Sequence, residues 1–447
     1  MSGGRSMLQR LALQRPELRA WAMYDWANSA MMTVIVTAVF PIFFAKVAYA
    51  GEGGRSATEV HAWATTAALV IIALVAPLLG VVADRAACKK ALLLGFATLG
   101  SLACAGMFFI GPGDWQLAAG LFLLANVGAS GSFVFYDALL PHVAKSDEVD
   151  QLSTSSFALG YLGGGLLLAF SLAMILNPSW FGLPSGEGLS AADSSLPTRI
   201  SFVAVAVWWM LFSIPLLKRV SEPQVLAVSE RLSPGRSFVA ALGSWRQTIR
   251  DLLRYKQAAL FLLAFLIYND GILTIIRMAG IYGKELQLES GQMMLAILLV
   301  QFVGVPCTVL FGFIASKVGA KRSVMAGLMI YGVVVLMAYR LEDAQDFFAM
   351  AIAIALVQGG TQALSRSLFS SMIPAAKSGE FFGLFAVFDR FAGIFGPLLF
   401  AQVLAFGGEL RSAVLPLLGF FAVGAMLLAL VDVDRGRREA LADESAV

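Results

Sequence analysis

Apolar residues run through this chain in twelve long stretches, roughly 20–46, 58–83, 90–111, 115–140, 151–176, 199–217, 257–282, 291–315, 323–340, 346–372, 380–406 and 412–432. A bilayer-crossing helix needs about 20 largely apolar residues, and these stretches meet or approach that length. The strict alternation of lipid-facing strands is absent, which argues against an outer-membrane barrel. The pattern predicts an all-α integral membrane protein with twelve transmembrane helices, numbered here as spans 1 to 12.

Polar residues interrupt these stretches unevenly. Span 1 carries Asp25, Asn28 and Ser29, with Met32 on the same face; span 4 carries Asn126, Ser130 and Asp137. Span 7 carries Asp270, Thr274 and Arg277, with Asn269 adjacent as a further candidate; span 10 carries Gln358, Thr361, Gln362, Ser365 and Arg366. Spacings of three, four and seven place the members of each set on one helix face. Elsewhere the middles of the spans are almost bare, apart from Gln301 and the pair Asp389–Arg390 in span 11. Polar side chains are costly in lipid, so they face a bundle interior or a water-filled cavity. The first helix of every three-helix unit thus bears a polar stripe, and four such stripes predict the lining of a central substrate path. Within it, Asp25 and Asp270 are candidates to hold an ammonium or a proton. Arg277, Arg366 and Arg390 are candidates to hold a carboxylate, which the guanidinium fork suits. Arg366 and Asp389 fall at similar depth, which makes an ion pair between them an expectation.

The two halves of the chain echo each other. Gly80-Val-Val-Ala-Asp84-Arg85-Ala-Ala-Cys88-Lys89-Lys90 recurs as Gly312-Phe-Ile-Ala-Ser316-Lys317-Val-Gly319-Ala-Lys321-Arg322, in each case between the second and third spans of a half. Such duplication marks a two-repeat transporter, here two six-helix bundles related by a pseudo-twofold axis along the membrane normal. The domains expected are 1–217, a linker at 218–256 and 257–447. Within the linker, Ser233-Pro234 reads as a helix start. Phe238, Leu242, Trp245, Ile249 and Leu252 then recur at helical spacing among Arg236, Arg246, Arg250 and Arg254. This reads equally as an amphipathic helix on the membrane surface or as a solvated linker helix. In the duplicated loops, Asp84 and Arg85 are expected to pair or to meet a helix N-terminus, with Asp137 beside Arg85. The four glycines of span 5, Gly160, Gly163, Gly164 and Gly165, are expected to allow close helix packing.

Charge fixes the orientation. Only 14% of residues are charged and 59% are hydrophobic, and the net charge is +3. With both termini inside, 23 of the 32 Lys and Arg residues fall in cytoplasmic segments. That is the positive-inside bias, and it removes any need to invoke a nucleic-acid partner. The N-terminal arginines lack a short apolar core with a cleavage site and read as a cytoplasmic lead-in. Three scattered cysteines make no disulfide framework, and two isolated histidines make no metal site. No nucleotide-binding loop or nucleophile–base set appears, so neither an enzyme nor an ATP-driven pump is expected, and no cofactor.

The paired loop motif and the twelve-span layout resemble the major facilitator superfamily. Within it, Trp21-Ala-Met-Tyr24-Asp25-Trp26-Ala-Asn28-Ser29, Tyr268-Asn269-Asp270-Gly271 and Gln362-Ala-Leu-Ser365-Arg366 resemble the vacuolar amino-acid effluxer-like, autophagy-related branch. The resemblance implies alternating access, with Gly80, Asp84, Arg85, Lys89, Lys90 and Asp137 at one cytoplasmic gate. Gly312, Ser316, Lys317, Lys321 and Arg322 would form the other. It implies amino-acid export as the activity. The protein is expected to be a monomer in a bacterial inner membrane, with protons as the candidate coupling ion. A lipid or amphiphile translocator and a non-transporting sensor or scaffold are the competing readings.

Overall fold

The computed structural model describes residues 6–49, 56–186, 188–223, 249–407, 409 and 411–444. Among these described residues, twelve helical segments are long and apolar enough to cross a membrane: Pro16–Ala48, Ala57–Ala86, Lys89–Phe109, Trp115–Val143, Val149–Leu176, Ala191–Arg219, Lys256–Gly283, Gly291–Val318, Ala320–Tyr339, Ala344–Ser371, Ala375–Phe400 and Ser412–Leu430. They are spans 1 to 12. An even number of crossings puts the chain ends on one side, with the basic loops 85–90 and 317–322. This side is called the basic end below.

The buried side chains separate by half. One large cluster draws on spans 7 to 12, with Ala138 its single fully buried member from the first half. Two others draw on spans 1 to 6, with Ala386 the single fully buried visitor from the second half. The halves meet along two seams. Span 2 packs on span 11, and span 8 packs on span 5. The duplicated glycines sit on these seams. A side chain on Gly80 would collide with the Gly379 carbonyl of span 11, and one on Gly312 would collide with Thr154 of span 5. The repeat found in the sequence therefore corresponds to a repeat of contact.

Span 5 lies against span 1 as its glycines predict. A Cβ on Gly160 would come within 2.6 Å of Ser29 Oγ, and one on Gly164 within 2.6 Å of Thr33 Oγ1. Gly165 faces Gln301 and Phe302 of span 8 instead, across the seam. Span 1 itself is wound loosely, with wide π turns at Met31–Ala38 and Phe44–Ala48 flanking Pro41. Such turns occur mostly as local bulges inside α-helices, often at working sites.

Span 11 departs from the expectation of one continuous helix over 380–406. Ser378–Phe391 and Phe395–Ala405 are separate helices, joined through Gly393 at φ +85°. The second helix starts just before Pro397, whose missing N–H falls in a first turn where no helical partner exists. Asp270 of span 7 accepts the free amides there, from Phe395 N at 3.0 Å and Gly396 N at 2.7 Å. The break is thus held by a carboxylate from a neighbouring helix. The linker residues 224–248 lie outside the described residues, and with them most of the expected amphipathic helix; only its end at 249–254 is seen as helical.

Candidate functional site

The centre of the charged network is Arg366. It leaves span 10 of the second half and is buried among spans 1, 4 and 5 of the first, at 3% exposure. Nη1 donates to Asp137 Oδ1 at 3.0 Å and meets Asp25 Oδ2 at 3.4 Å. Nη2 donates to Ser156 Oγ at 2.7 Å, and Nε to Ser153 Oγ at 3.0 Å. Three rings close round the guanidinium, with centroids at 4.5 Å for Phe157, 5.0 Å for Trp21 and 5.4 Å for Tyr136. A lone arginine here would be costly to bury. Two carboxylates and two hydroxyls answer its donors.

Two expected pairs are therefore corrected. Arg366 does not meet Asp389, which instead accepts from Asn269 Nδ2 at 2.9 Å and pairs with Arg390 at 3.5 Å. Asp137 belongs to Arg366 and not to Arg85. The reason is the same for both: span 10 turns its arginine across the interface, toward the half that holds the unpaired acids.

Toward the basic end the first seam is tied by Asp84. Its carboxylate accepts Gly379 N at 3.0 Å and Glu380 N at 2.8 Å, the free amides opening span 11. A helix N-terminus favours an anion. Lys89, 1% exposed, completes the arrangement 2.6 Å from Asp84. Glu222 caps the start of span 3 by accepting from the amides of Lys89 and Lys90. His142 and Ser378 add a hydrogen bond of 3.0 Å across the same seam. The second seam is built otherwise. Ser316, where an acid would match Asp84, turns back to the Phe313 carbonyl. Lys321 caps the end of span 12 by donating to the Ala429 and Val431 carbonyls at 2.7 Å. Lys317 and Arg322 are exposed. A cleft of about 1060 Å³ opens there, lined among others by Ser146, Ser316, Val318, Lys321 and Arg322.

The remaining stripe residues separate by environment. Asp270, 1% exposed, is taken up with the span 11 break and with Thr274 Oγ1 at 3.3 Å. Arg277 donates to the Gly393 carbonyl in the same break yet stays exposed, and Asp389 and Arg390 are half-buried beside it. Gln358 and Gln362 are half-buried, whereas Thr361 and Ser365 are buried, with Ser365 Oγ 2.6 Å from Tyr268 OH. Asn28 Nδ2 donates to Ser132 Oγ at 3.0 Å. Asn126 Nδ2 and Ser130 Oγ are buried without a hydrogen-bond partner among the described residues. Ser29 packs against Gly160. The structure thus gathers Asp25, Asp137 and Arg366 into one cluster and Asn269, Asp389 and Arg390 into another, with Asp270, Thr274 and Arg277 at the helix break. Sequence reasoning missed Ser153, Ser156, Phe157 and the aromatic pair Trp21–Tyr136, stacked at 4.3 Å. The run Ser153-Thr-Ser-Ser156 at the start of an apolar span was the available signal.

The family model described as "Vacuole effluxer Atg22 like" matches residues 13–441. This chain belongs to that family. The Atg22-like chain is 34% identical over 428 residues to a protein of Bacillus subtilis (strain 168) called an uncharacterized MFS-type transporter, YxiO, covering 95% of this chain and 96% of that one. It is 25% identical over 328 residues to autophagy-related protein 22-1 of Aspergillus fumigatus, covering 67% of this chain and 51% of that one. Among solved structures it is similar to the major facilitator transporter FucP in its outward conformation, with a TM-score of 0.70 at 14% identity, covering 94% of this chain and 100% of that one. The proton:xylose symporter XylE gives a TM-score of 0.71 at 14% identity, covering 96% and 98%. The Atg22-like chain therefore has the major facilitator fold and is an integral membrane transporter of that type.

Proposed function

We propose that this transporter exports a small organic solute, with amino acids as the class, by rocking its two halves around a central site. The basic end faces the cytoplasm in this reading, and both termini with it. The observation that carries the proposal is the burial of Arg366 of one half among Asp25, Asp137, Ser153 and Ser156 of the other. Such a contact is made in one orientation of the halves and broken in the other, which is what two-state access needs. Arg277, Asp389, Arg390, Gln358 and Gln362 remain partly open at membrane depth and supply polar groups for a solute. Protons are the proposed coupling ion, and the monomer is the proposed working unit.

Counterflow in liposomes tests this. Vesicles reconstituted with the protein and loaded with amino-acid mixtures are expected to exchange labelled amino acids, faster with a pH gradient imposed. Flux of lysolipid without amino-acid exchange would favour an amphiphile translocator. No flux of either would favour a sensor.

A further inference from the structure

We infer that the first half contains a receptor for an organic cation, a guanidinium or alkylammonium head, which Arg366 fills as an internal stand-in while the basic end is closed. The inference rests on the alternating-access reading above and specifies the solute that such a cycle would carry.

The argument begins with what holds the site together once Arg366 is set aside. Trp21 stacks on Tyr136 at 4.3 Å, and Trp21 Nε1 donates to the Tyr136 carbonyl at 3.0 Å. Tyr136 OH in turn donates to Asp25 Oδ2 at 3.0 Å. These contacts lie wholly within spans 1 and 4. They fix two aromatic faces and one carboxylate without help from the second half. Phe157 adds a third face from span 5, and Asp137 the second carboxylate. Aromatic faces combined with carboxylates are the recognised means of holding an organic cation in a desolvated place.

Separation of the halves at the basic end withdraws Arg366. Two carboxylates and the hydroxyls of Ser153 and Ser156 would then lose the cation that satisfies them. Leaving acids together and unpaired at this depth is costly. A solute bearing one guanidinium or ammonium group restores the balance and makes the same ring contacts. It binds only the state from which Arg366 has left, so it selects that state. Return of Arg366 then competes for the same acids and expels the solute toward the opposite side. An arginine is suited to this because its own head group has the chemistry of the cargo.

The test uses the full-length protein with Cys88, Cys104 and Cys307 replaced by serine. Spin labels are placed at Ser146 and Val318, exposed residues on opposite halves beside the basic-end cleft. Agmatine is expected to lengthen the distance between them, and n-butylurea, an uncharged isostere of an alkylguanidinium, is expected to leave it unchanged. Arg366→Lys keeps the charge but loses the fork, so this weaker competitor should raise agmatine affinity about tenfold. Asp137→Asn and Phe157→Ala should each lower it. Equal agmatine affinity in the wild type and Arg366→Lys would overturn the inference, as would equal binding of n-butylurea. So would opening by acid or sodium alone with agmatine inert, a result that leaves the transporter reading intact. A distance fixed under every condition, together with no flux in liposomes, would remove both.

Discussion

Asp84 Oδ1 lies 3.0 Å from the amide of Gly379 and 2.6 Å from Lys89 Nζ, so one carboxylate joins the two halves and neutralises a buried lysine. The approach depends on glycine on both sides. A Cβ on Gly379 would sit 2.7 Å from the Gly80 carbonyl and 2.8 Å from Asp84 Oδ1.

Gly80→Val should therefore fold and fail to close. Its side chain has room in the membrane but not against span 11. Overpacking of about 1–3 kcal/mol at the closed seam corresponds to a loss of the closed state of roughly five- to 150-fold. The Ser146–Val318 spin-label distance should lengthen while thermal stability in detergent stays near that of the wild type. A short, unchanged distance would show that the seam tolerates the side chain.

Arg366 gives a double-mutant cycle with a definite expectation. Arg366→Gln and Asp137→Asn, alone and together, should show a coupling of about 1–3 kcal/mol in thermal or denaturant unfolding. The corresponding cycle with Asp389→Asn should be additive within roughly 0.5 kcal/mol, because Asp389 is engaged with Asn269 and Arg390. The reverse order of couplings would mean that the two acids exchange roles.

Much of this was written in the sequence. Twelve spans, the halves and the polar stripes follow from hydropathy and a period of 3.6, both of which act locally. The duplicated loops pointed to the seams, because Gly80 and Gly312 occur in repeats that also contact equivalent helices. The partner of Arg366 was not legible. Asp25 and Asp137 lie 341 and 229 residues away, and depth along a span does not say which face of another span will oppose it. The break in span 11 was hidden for a related reason. Its cap is Asp270 on a different helix, and only Gly393 and Pro397 mark the place locally.

Asp270→Asn tests that cap. An amide can accept from Phe395 or Gly396 but cannot offer a charged acceptor to both, and the expected loss is about 1–3 kcal/mol of stability. The change should appear as a lower unfolding midpoint and as faster hydrogen exchange confined to residues near 395–400. Unaltered stability with loss of the pH-gradient effect on exchange would instead identify Asp270 as the proton site.

Topology is the most direct test of the orientation. A cysteine at the exposed Val318, in the background lacking native cysteines, should resist an impermeant maleimide added to intact cells and react once they are permeabilised. Labelling in intact cells would invert the whole assignment, since the basic loops share that side.

The second seam carries Ser316 and an open cleft where the first carries Asp84, Lys89 and a sealed contact. After duplication, then, the two copies make different contacts. The charged ties between the halves at the basic end are thus concentrated on one edge of the protein, while spans 5 and 8 meet on the other edge through packing. Substitutions at the Asp84–Gly379 contact of spans 2 and 11 would consequently change turnover frequency, and those at the Gly312–Thr154 contact of spans 8 and 5 chiefly how firmly the halves stay assembled. An engineer seeking a faster transporter would loosen the first edge and leave the second alone.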